Sequence, residues 1–208
     1  RALARLRGAI PVVELGGRPA RCIAGDANAV AVVLPIHVEP AVMVDAWLDG
    51  AFLSEWLARP ARLESVVVLI DGERFEADLA SRDLLISRGW GRGPGDGRFV
   101  ADLAIEHVEA ATILARTGPP IRGRRFDACM EVLNPTAERI DAETDDRALS
   151  ARLGRPSHER AASVVVKPPW LRIMEAADDA VGKGPGLGRL VYRSALPFDL
   201  NRFAEWLA

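Results

Sequence analysis

Two carboxylates at the ends of apolar stretches are the residues best placed for ligand chemistry. Glu39 follows the stretch AVAVVLP (29–35), and Asp71 ends the stretch SVVVLID (65–71). Open α/β sheets bind ligands outside the carboxyl ends of their strands, so carboxylates at these points indicate a binding or catalytic edge. A structural role is the alternative, because Glu39 in the first turn of a helix interacts favourably with the helix dipole and Asp71 can cap the next helix.

Other reactive residue types lack the spacing that catalysis or metal binding requires. His37, His107 and His158 are scattered, and His107 lies on the apolar face of a predicted helix, which is typical of a core residue. Cys22 and Cys129 are too far apart in sequence to form a thiolate metal motif. The segments GRGPGDGR and GKGPGLGR offer backbone N–H groups to an anion, but they lack a strand–loop–helix setting and are predicted to be surface loops. We assign no catalytic residue and no metal ligand.

The elements that would position these carboxylates alternate between strand and helix patterns. Both apolar stretches are typical of strands covered on both faces. Helices are predicted from Pro40 to just before Gly50, over 73–80, from Val100 onward, over 125–133 and from about residue 199, with a strand at ATILA (111–115). The acidic DAETDD (141–146) is predicted to begin a solvated helix. This order predicts an α/β fold with a mainly parallel sheet and helices on both faces.

Composition narrows the classes of partner. The chain has 208 residues and a formal net charge of −2, with acidic and basic residues interspersed, so we predict no nucleic-acid partner. Its apolar runs are shorter than the roughly 20 residues of a membrane-spanning helix, so we predict no membrane partner. Two distant cysteines fit a reducing compartment, which predicts a cytoplasmic protein. The first residue is not Met, which we interpret as a fragment or a processed chain.

Several segments, in their order along the chain, resemble one family. VVLPIHVEP is similar to an apolar strand that leads into a switch segment containing glutamate. SVVVLIDGERFEADLASRDLL and DGRFVADLAIEHVEAATIL resemble a strand ending in Val-Asp-Ala and an Arg-Thr-Val-Ala-Asp-Leu helix. VLNPTAERI resembles a Leu-Asn-Pro-x-Ala segment, and VYRSALPFDLNRF resembles the opening of a C-terminal domain. Over roughly residues 29–208 the chain therefore resembles the CobW family of P-loop GTPases, relatives of UreG- and HypB-like proteins that are mostly linked to metal-ion handling.

The resemblance implies a fold, cofactors and site residues. The fold would be P-loop-NTPase-like, with a partial GTPase-like α/β domain over 1–155 and the beginning of a smaller α+β, CobW-type C-terminal domain over 156–208. GTP and Mg²⁺ would be the cofactors. Glu39 would lie near the switch segment that senses Mg²⁺ and the γ-phosphate, Asp71 would be close to the nucleotide, and Thr117 and Gly118 would begin the turn that recognises guanine.

The departures from the family concern the same chemistry. This sequence contains no G-x-x-x-x-G-K-[ST] phosphate loop, since Gly182-Lys183-Gly184 lacks the following hydroxyl, and it contains no Cys-x-Cys-Cys motif. Where the family has Asn-Lys-x-Asp, this chain has the run Thr117, Gly118, Pro119, Pro120, and neither glycine nor proline has a carboxylate to accept the two guanine hydrogen bonds. We therefore expect a divergent, truncated relative with little or no GTPase activity.

Three functional hypotheses follow. The first is a divergent CobW-like protein of GTP binding and metal homeostasis that is inactive as this chain. The second is a non-catalytic binding or regulatory protein on a GTPase scaffold, with an unknown protein partner or a homo-oligomer completing the open sheet edges. The third is a distinct α/β enzyme, which would show a deep pocket with convergent polar groups at Glu39 and Asp71.

Overall fold

The computed structural model describes residues 12–14, 31–48, 63–118, 124–142, 149, 152 and 199–207. The strands of this part are β1 (Val12–Glu14), β2 (Ala31–Val33), β3 (Val67–Asp71), β4 (Ile113–Thr117) and β5 (Glu138–Asp141). Its helices are α1 (Pro40–Leu48), α2 (Phe75–Leu79), α3 (Val100–Ala110), α4 (Arg124–Leu133) and α5 (Leu200–Leu207), with a 3₁₀ turn at Leu85–Arg88. No helix within these ranges is long and apolar enough to cross a membrane.

The strands pair in parallel throughout the described chain. β1 pairs with β2, and β3, β4 and β5 form a second sheet in that order, with β4 in the centre. Helices α2 and α3 lie between β3 and β4 in the chain, and α4 lies between β4 and β5. This alternation is the arrangement that parallel neighbours require, because the chain must cross over between them. The predicted α/β character with a parallel sheet is confirmed.

The central strand β4 is buried on both faces, because its first three residues are all buried and their side chains alternate between the two sides of the sheet. Leu114 belongs to a cluster with residues of α3 and α4, while Ile113 and Ala115 belong to a second cluster that includes Ile140 of β5. Successive side chains of a strand point to opposite faces, so one short apolar strand contributes to both clusters. Full burial of each large aliphatic side chain stabilises the fold by about 1.5–3 kcal/mol.

Helix α3 packs through one apolar face and is fixed at its C-terminal end by Asn134. The amide of Asn134, fully buried, donates to the carbonyl oxygens of Val108 and Ala111, both at 2.8 Å. Its Oδ1 accepts the N–H of Ala137 at 3.1 Å and the hydroxyl of Thr136 at 2.9 Å. The carbonyl groups at the end of a helix lack intrahelical partners, so this side chain satisfies them and joins α3 to the turn before β5.

Some predicted elements differ from the observed ones. Asp141 ends β5 instead of beginning a solvated helix, and the rest of DAETDD lies outside the described residues. Helix α2 is shorter than the predicted 73–80. The start of α1 at Pro40 and that of α5 after Asp199 are confirmed, since the Asp199 carboxylate accepts the N–H groups of Asn201 and Arg202. The predicted domain boundary at 155–156 and the second glycine-rich segment lie outside the described residues.

Candidate functional site

The carboxyl ends of β3 and β4 bring three of the predicted site residues together. Asp71 and Thr117 are register partners at the ends of these strands, and the N–H of Gly72 donates to the carbonyl oxygen of Thr117 at 2.9 Å. Gly118 has φ of 82°, a left-handed conformation that favours glycine, and a Cβ added there would lie 3.6 Å from Oδ1 of Asp71. Glu39, the fourth predicted residue, is paired with arginines of a different loop.

The polar groups of this edge are used to build its turns. Oδ1 of Asp71 accepts the N–H of Glu73 at 3.0 Å, and Oδ2 lies 3.9 Å from Nε of Arg74. The hydroxyl of Thr117 donates to the carbonyl oxygen of Ile70 at 3.2 Å. Asp71 therefore stabilises the turn that leads toward α2, as Asp side chains do when they bond the backbone two residues on. The alternative that Asp71 caps the next helix is wrong, because the N-cap residue of α2 is Arg74 and no side chain caps that helix.

Arg116 covers part of the same edge. Its guanidinium forms an ion pair with Asp141 of β5, which lies opposite it in the strand register. A Cβ added at Gly72 would lie 3.3 Å from Cγ and Cδ of Arg116 and from the carbonyl oxygen of Thr117. That spacing is tighter than an ordinary contact, so the absence of a side chain at Gly72 permits this close packing.

Glu39 lies in an arginine-rich cluster between the β2–α1 turn (residues 34–39) and the glycine-rich loop (residues 89–98). Nη1 of Arg98 donates to Oε1 of Glu39 at 2.9 Å and to the carbonyl oxygen of His37 at 3.1 Å. Nη2 of Arg92 lies 3.5 Å from the same carboxylate oxygen. The backbone carbonyl oxygen of Glu39 also accepts a hydrogen bond from the first turn of α1, donated by the N–H of Met43 at 3.3 Å. The residue thus joins the start of a helix to a distant loop.

The glycine-rich loop has glycine at every second position from Gly89 to Gly97, and Asp96 organises it. The carboxylate of Asp96 accepts four hydrogen bonds, from the N–H groups of Arg92 and Arg98 and from Nε and Nη2 of Arg98. A carboxylate has about four acceptor sites, so its capacity is filled. The hydrogen bonds from Arg98 hold the pKa of Asp96 well below its ordinary range. The sequence predicted a surface loop here without indicating the pair of Asp96 and Arg98, although Asp-Gly is a recognisable turn signal.

Two titratable residues of α3 face this cluster. Burial raises the pKa of Glu106, and the nearby Glu39 carboxylate raises it further, while Arg98 opposes the shift. Oε2 of Glu106 is buried and has no hydrogen-bond partner among the described residues. Burial lowers the pKa of His107, and hydrogen bonds with the backbone of Val38 and Leu103 oppose that shift. His107 is therefore a packed, predominantly neutral side chain near neutral pH.

The polar groups at both locations have partners within the protein. Guanine recognition needs a carboxylate that accepts two hydrogen bonds, and the described start of the turn has Thr117, whose hydroxyl donates to Ile70, followed by Gly118. Mg²⁺ is usually held by one or two carboxylates together with water and substrate phosphates; here Glu39 is paired with two arginines and Asp71 lies beside Arg74. Within the described ranges, no three His, Cys, Asp or Glu side chains are grouped so that they could hold a metal ion. Pro119 and Pro120 lie outside these ranges.

Comparison with known proteins adds no assignment. No protein-family model matches the sequence, and no solved structure matches the chain.

Proposed function

We propose that this chain is a divergent CobW-like protein that serves as a non-catalytic binding or regulatory scaffold in metal-ion homeostasis. Support comes from the order of the resembling segments together with the parallel β3–β4 pair, whose carboxyl ends meet at one edge. We also propose that this parallel sheet belongs to a P-loop-NTPase-like fold. Such an edge is the usual ligand-binding side of an open α/β sheet, so its chemistry decides between an enzyme and a scaffold.

The observation that carries the proposal is the internal use of the polar groups at this edge. The Asp71 carboxylate binds the backbone of its own turn, and the Thr117 hydroxyl binds the backbone of β3. Arg116 is held by Asp141 across the next strand pair. A catalytic edge needs acceptors and donors directed at the reacting atoms of a substrate. Here they are directed at the protein itself, which favours a scaffold over a GTPase and over a distinct α/β enzyme.

The test is a titration of the 208-residue chain with a fluorescent GTP analogue in the presence of Mg²⁺, competed with unlabelled GTP and ATP. We expect no saturable signal. Saturable binding that GTP displaces better than ATP would overturn the proposal and would restore a GTP-binding protein as the better description.

A matched variant connects the outcome to this edge of the sheet. Thr117→Val keeps the size and branching of the side chain and removes its hydroxyl. If the wild type binds GTP, weaker binding by Thr117→Val would locate the nucleotide at the β3–β4 edge. Unchanged binding would direct the search to another part of the chain. Sedimentation analysis of the same sample measures self-association and so tests whether a second copy is the partner.

A further inference from the structure

We propose that Arg98 is a latch that couples the glycine-rich loop to the β2–α1 turn, so that the two segments open and close together. This inference does not depend on the proposed function. It rests on one guanidinium that contacts two segments separated by about sixty residues: Asp96 lies two positions away, whereas His37 and Glu39 lie 61 and 59 positions away.

The first half of the latch is the bond between Arg98 and Asp96. Nε donates to Oδ1 at 2.9 Å and Nη2 donates to Oδ2 at 2.7 Å, a two-point contact that fixes the plane of the guanidinium. The Asp96 side chain is only 6% exposed, so water competes poorly for these bonds. The base of the loop is closed separately, because the N–H of Leu85 donates to the carbonyl oxygen of Arg98 at 2.9 Å.

The second half is the bond between Arg98 and the β2–α1 turn. Nη1 is shared between the carbonyl oxygen of His37 and Oε1 of Glu39. The Glu39 side chain is 29% exposed, so salt and water weaken this contact more than they weaken the contact with Asp96. The contact with the turn is therefore the weaker half of the latch, and it depends on the guanidinium plane that Asp96 fixes.

Carboxylates outnumber arginines around the contact between Arg98 and the β2–α1 turn, which is the turn end of the latch. Glu39 and Glu106 face Arg98 and Arg92, and Asp102 of α3 adds a further carboxylate. His107 packs against the backbone of the same turn. When Glu106 is ionised it repels Glu39 and competes with it for Arg98, which biases the turn end toward opening. This arrangement lowers the free energy needed to open the turn locally, and such opening does not require the β3–β4–β5 sheet to unfold.

Hydrogen exchange of individual amides tests the latch. The loop is monitored at the N–H groups of Arg92 and Asp96, the turn at the N–H of Val38, which donates to Pro35 at 3.0 Å, and the sheet at β4. For Arg98→Gln we expect exchange about tenfold faster in both loop and turn, since a hydrogen bond to a charged group accounts for roughly that factor in an opening equilibrium. The β4 amides should keep their rates.

Three further variants separate the two halves. Glu39→Gln should accelerate exchange in the turn alone, because the loop keeps its Asp96–Arg98 bond. Arg98→Lys should behave like Arg98→Gln, because an ammonium group cannot bridge two carboxylates in one plane. Arg202→Gln is the matched control, because Arg202 is an exposed arginine of α5 and its replacement also removes one positive charge, so it should leave both segments unchanged.

Two results would overturn the proposal. If Arg98→Gln accelerates exchange in the loop and leaves Val38 at its wild-type rate, the segments are not coupled. If Arg98→Gln and Arg98→Lys accelerate β4 as much as the loop, the guanidinium supports the whole fold and is not a local latch.

Discussion

Replacing Asn134 is the perturbation whose cost follows most directly from the structure. Asn134→Ala removes the hydrogen bond accepted from the exposed Thr136, which water can replace. It also removes three bonds with buried backbone groups: two donated bonds of 2.8 Å, to Val108 and Ala111, and the bond accepted from Ala137. At about 1 kcal/mol net for each, the free energy of unfolding should fall by about 3 kcal/mol. For a chain of this size that loss corresponds to a melting temperature lower by roughly 6–12 °C.

The assay is urea denaturation followed by circular dichroism, with Asn201→Ala as the control. Asn201 is an exposed residue of α5, so its replacement should change the free energy of unfolding by no more than about 0.5 kcal/mol. If Asn134→Ala costs no more than this control, the amide does not support the end of α3, and the reasoning fails.

Asn134→Asp tests the same contacts by pH. An ionised carboxylate accepts hydrogen bonds and cannot donate to the carbonyl oxygens of Val108 and Ala111, so burial beside them should raise the pKa of the new side chain. The protonated form can donate. Relative to Asn134→Ala, the Asp variant should therefore gain stability below about pH 3.9, the ordinary pKa of Asp, and lose it as the pH rises through the raised pKa. A constant difference between the two variants at all pH values would contradict this assignment.

Three other predictions concern single residues. Glu106→Gln should raise the free energy of unfolding at pH 7 by ~0.5 kcal/mol, because the raised pKa of Glu106 makes its ionised form unfavourable in the folded chain. This gain in stability should vanish below about pH 4.3. The control variant Glu131→Gln, at an exposed position, should show no gain in stability. Because the pKa of His107 is lowered on folding, wild-type stability should fall as the pH drops below about 6.5, and His107→Gln should flatten this slope in denaturation measured from pH 7 to 5. Gly118→Ala should cost about 1 kcal/mol in thermal unfolding because of its φ of 82°, whereas Gly93→Ala, with no atom near the added Cβ, should be close to neutral.

Much of the local structure was predictable because it depends on neighbours in sequence. Continuous apolar residues predicted β3, the apolar spacing from Val100 predicted α3, and Pro40 marked the first residue of α1. Strand β5 was missed because three of its four residues, Glu138–Asp141, are charged, and only the uncharged Ile140 is buried. Pairing with β4 selects the strand there, and pairing partners are distant in sequence.

The candidate site was predicted only in part for the same reason. The family resemblance assigned Asp71, Thr117 and Gly118 to one site, and they lie together at the ends of β3 and β4. Nothing local to Glu39 indicates that Arg98 would bind it, and nothing local to Asn134 indicates the end of α3 as its partner.

The sequence by itself determined the elements with a strong local pattern, such as β3, α1 and α3, because periodic burial and turn residues act over a few positions, whereas β5 depends on pairing with β4. It also determined the polar groups available at each strand end. Only the tertiary structure decided which of those groups meet: Arg98 with Glu39, Asn134 with α3, and Asp71 with its own turn. The physical reason is that hydrogen bonds and ion pairs depend on ångström-scale distances between side chains, and packing of the whole chain sets those distances.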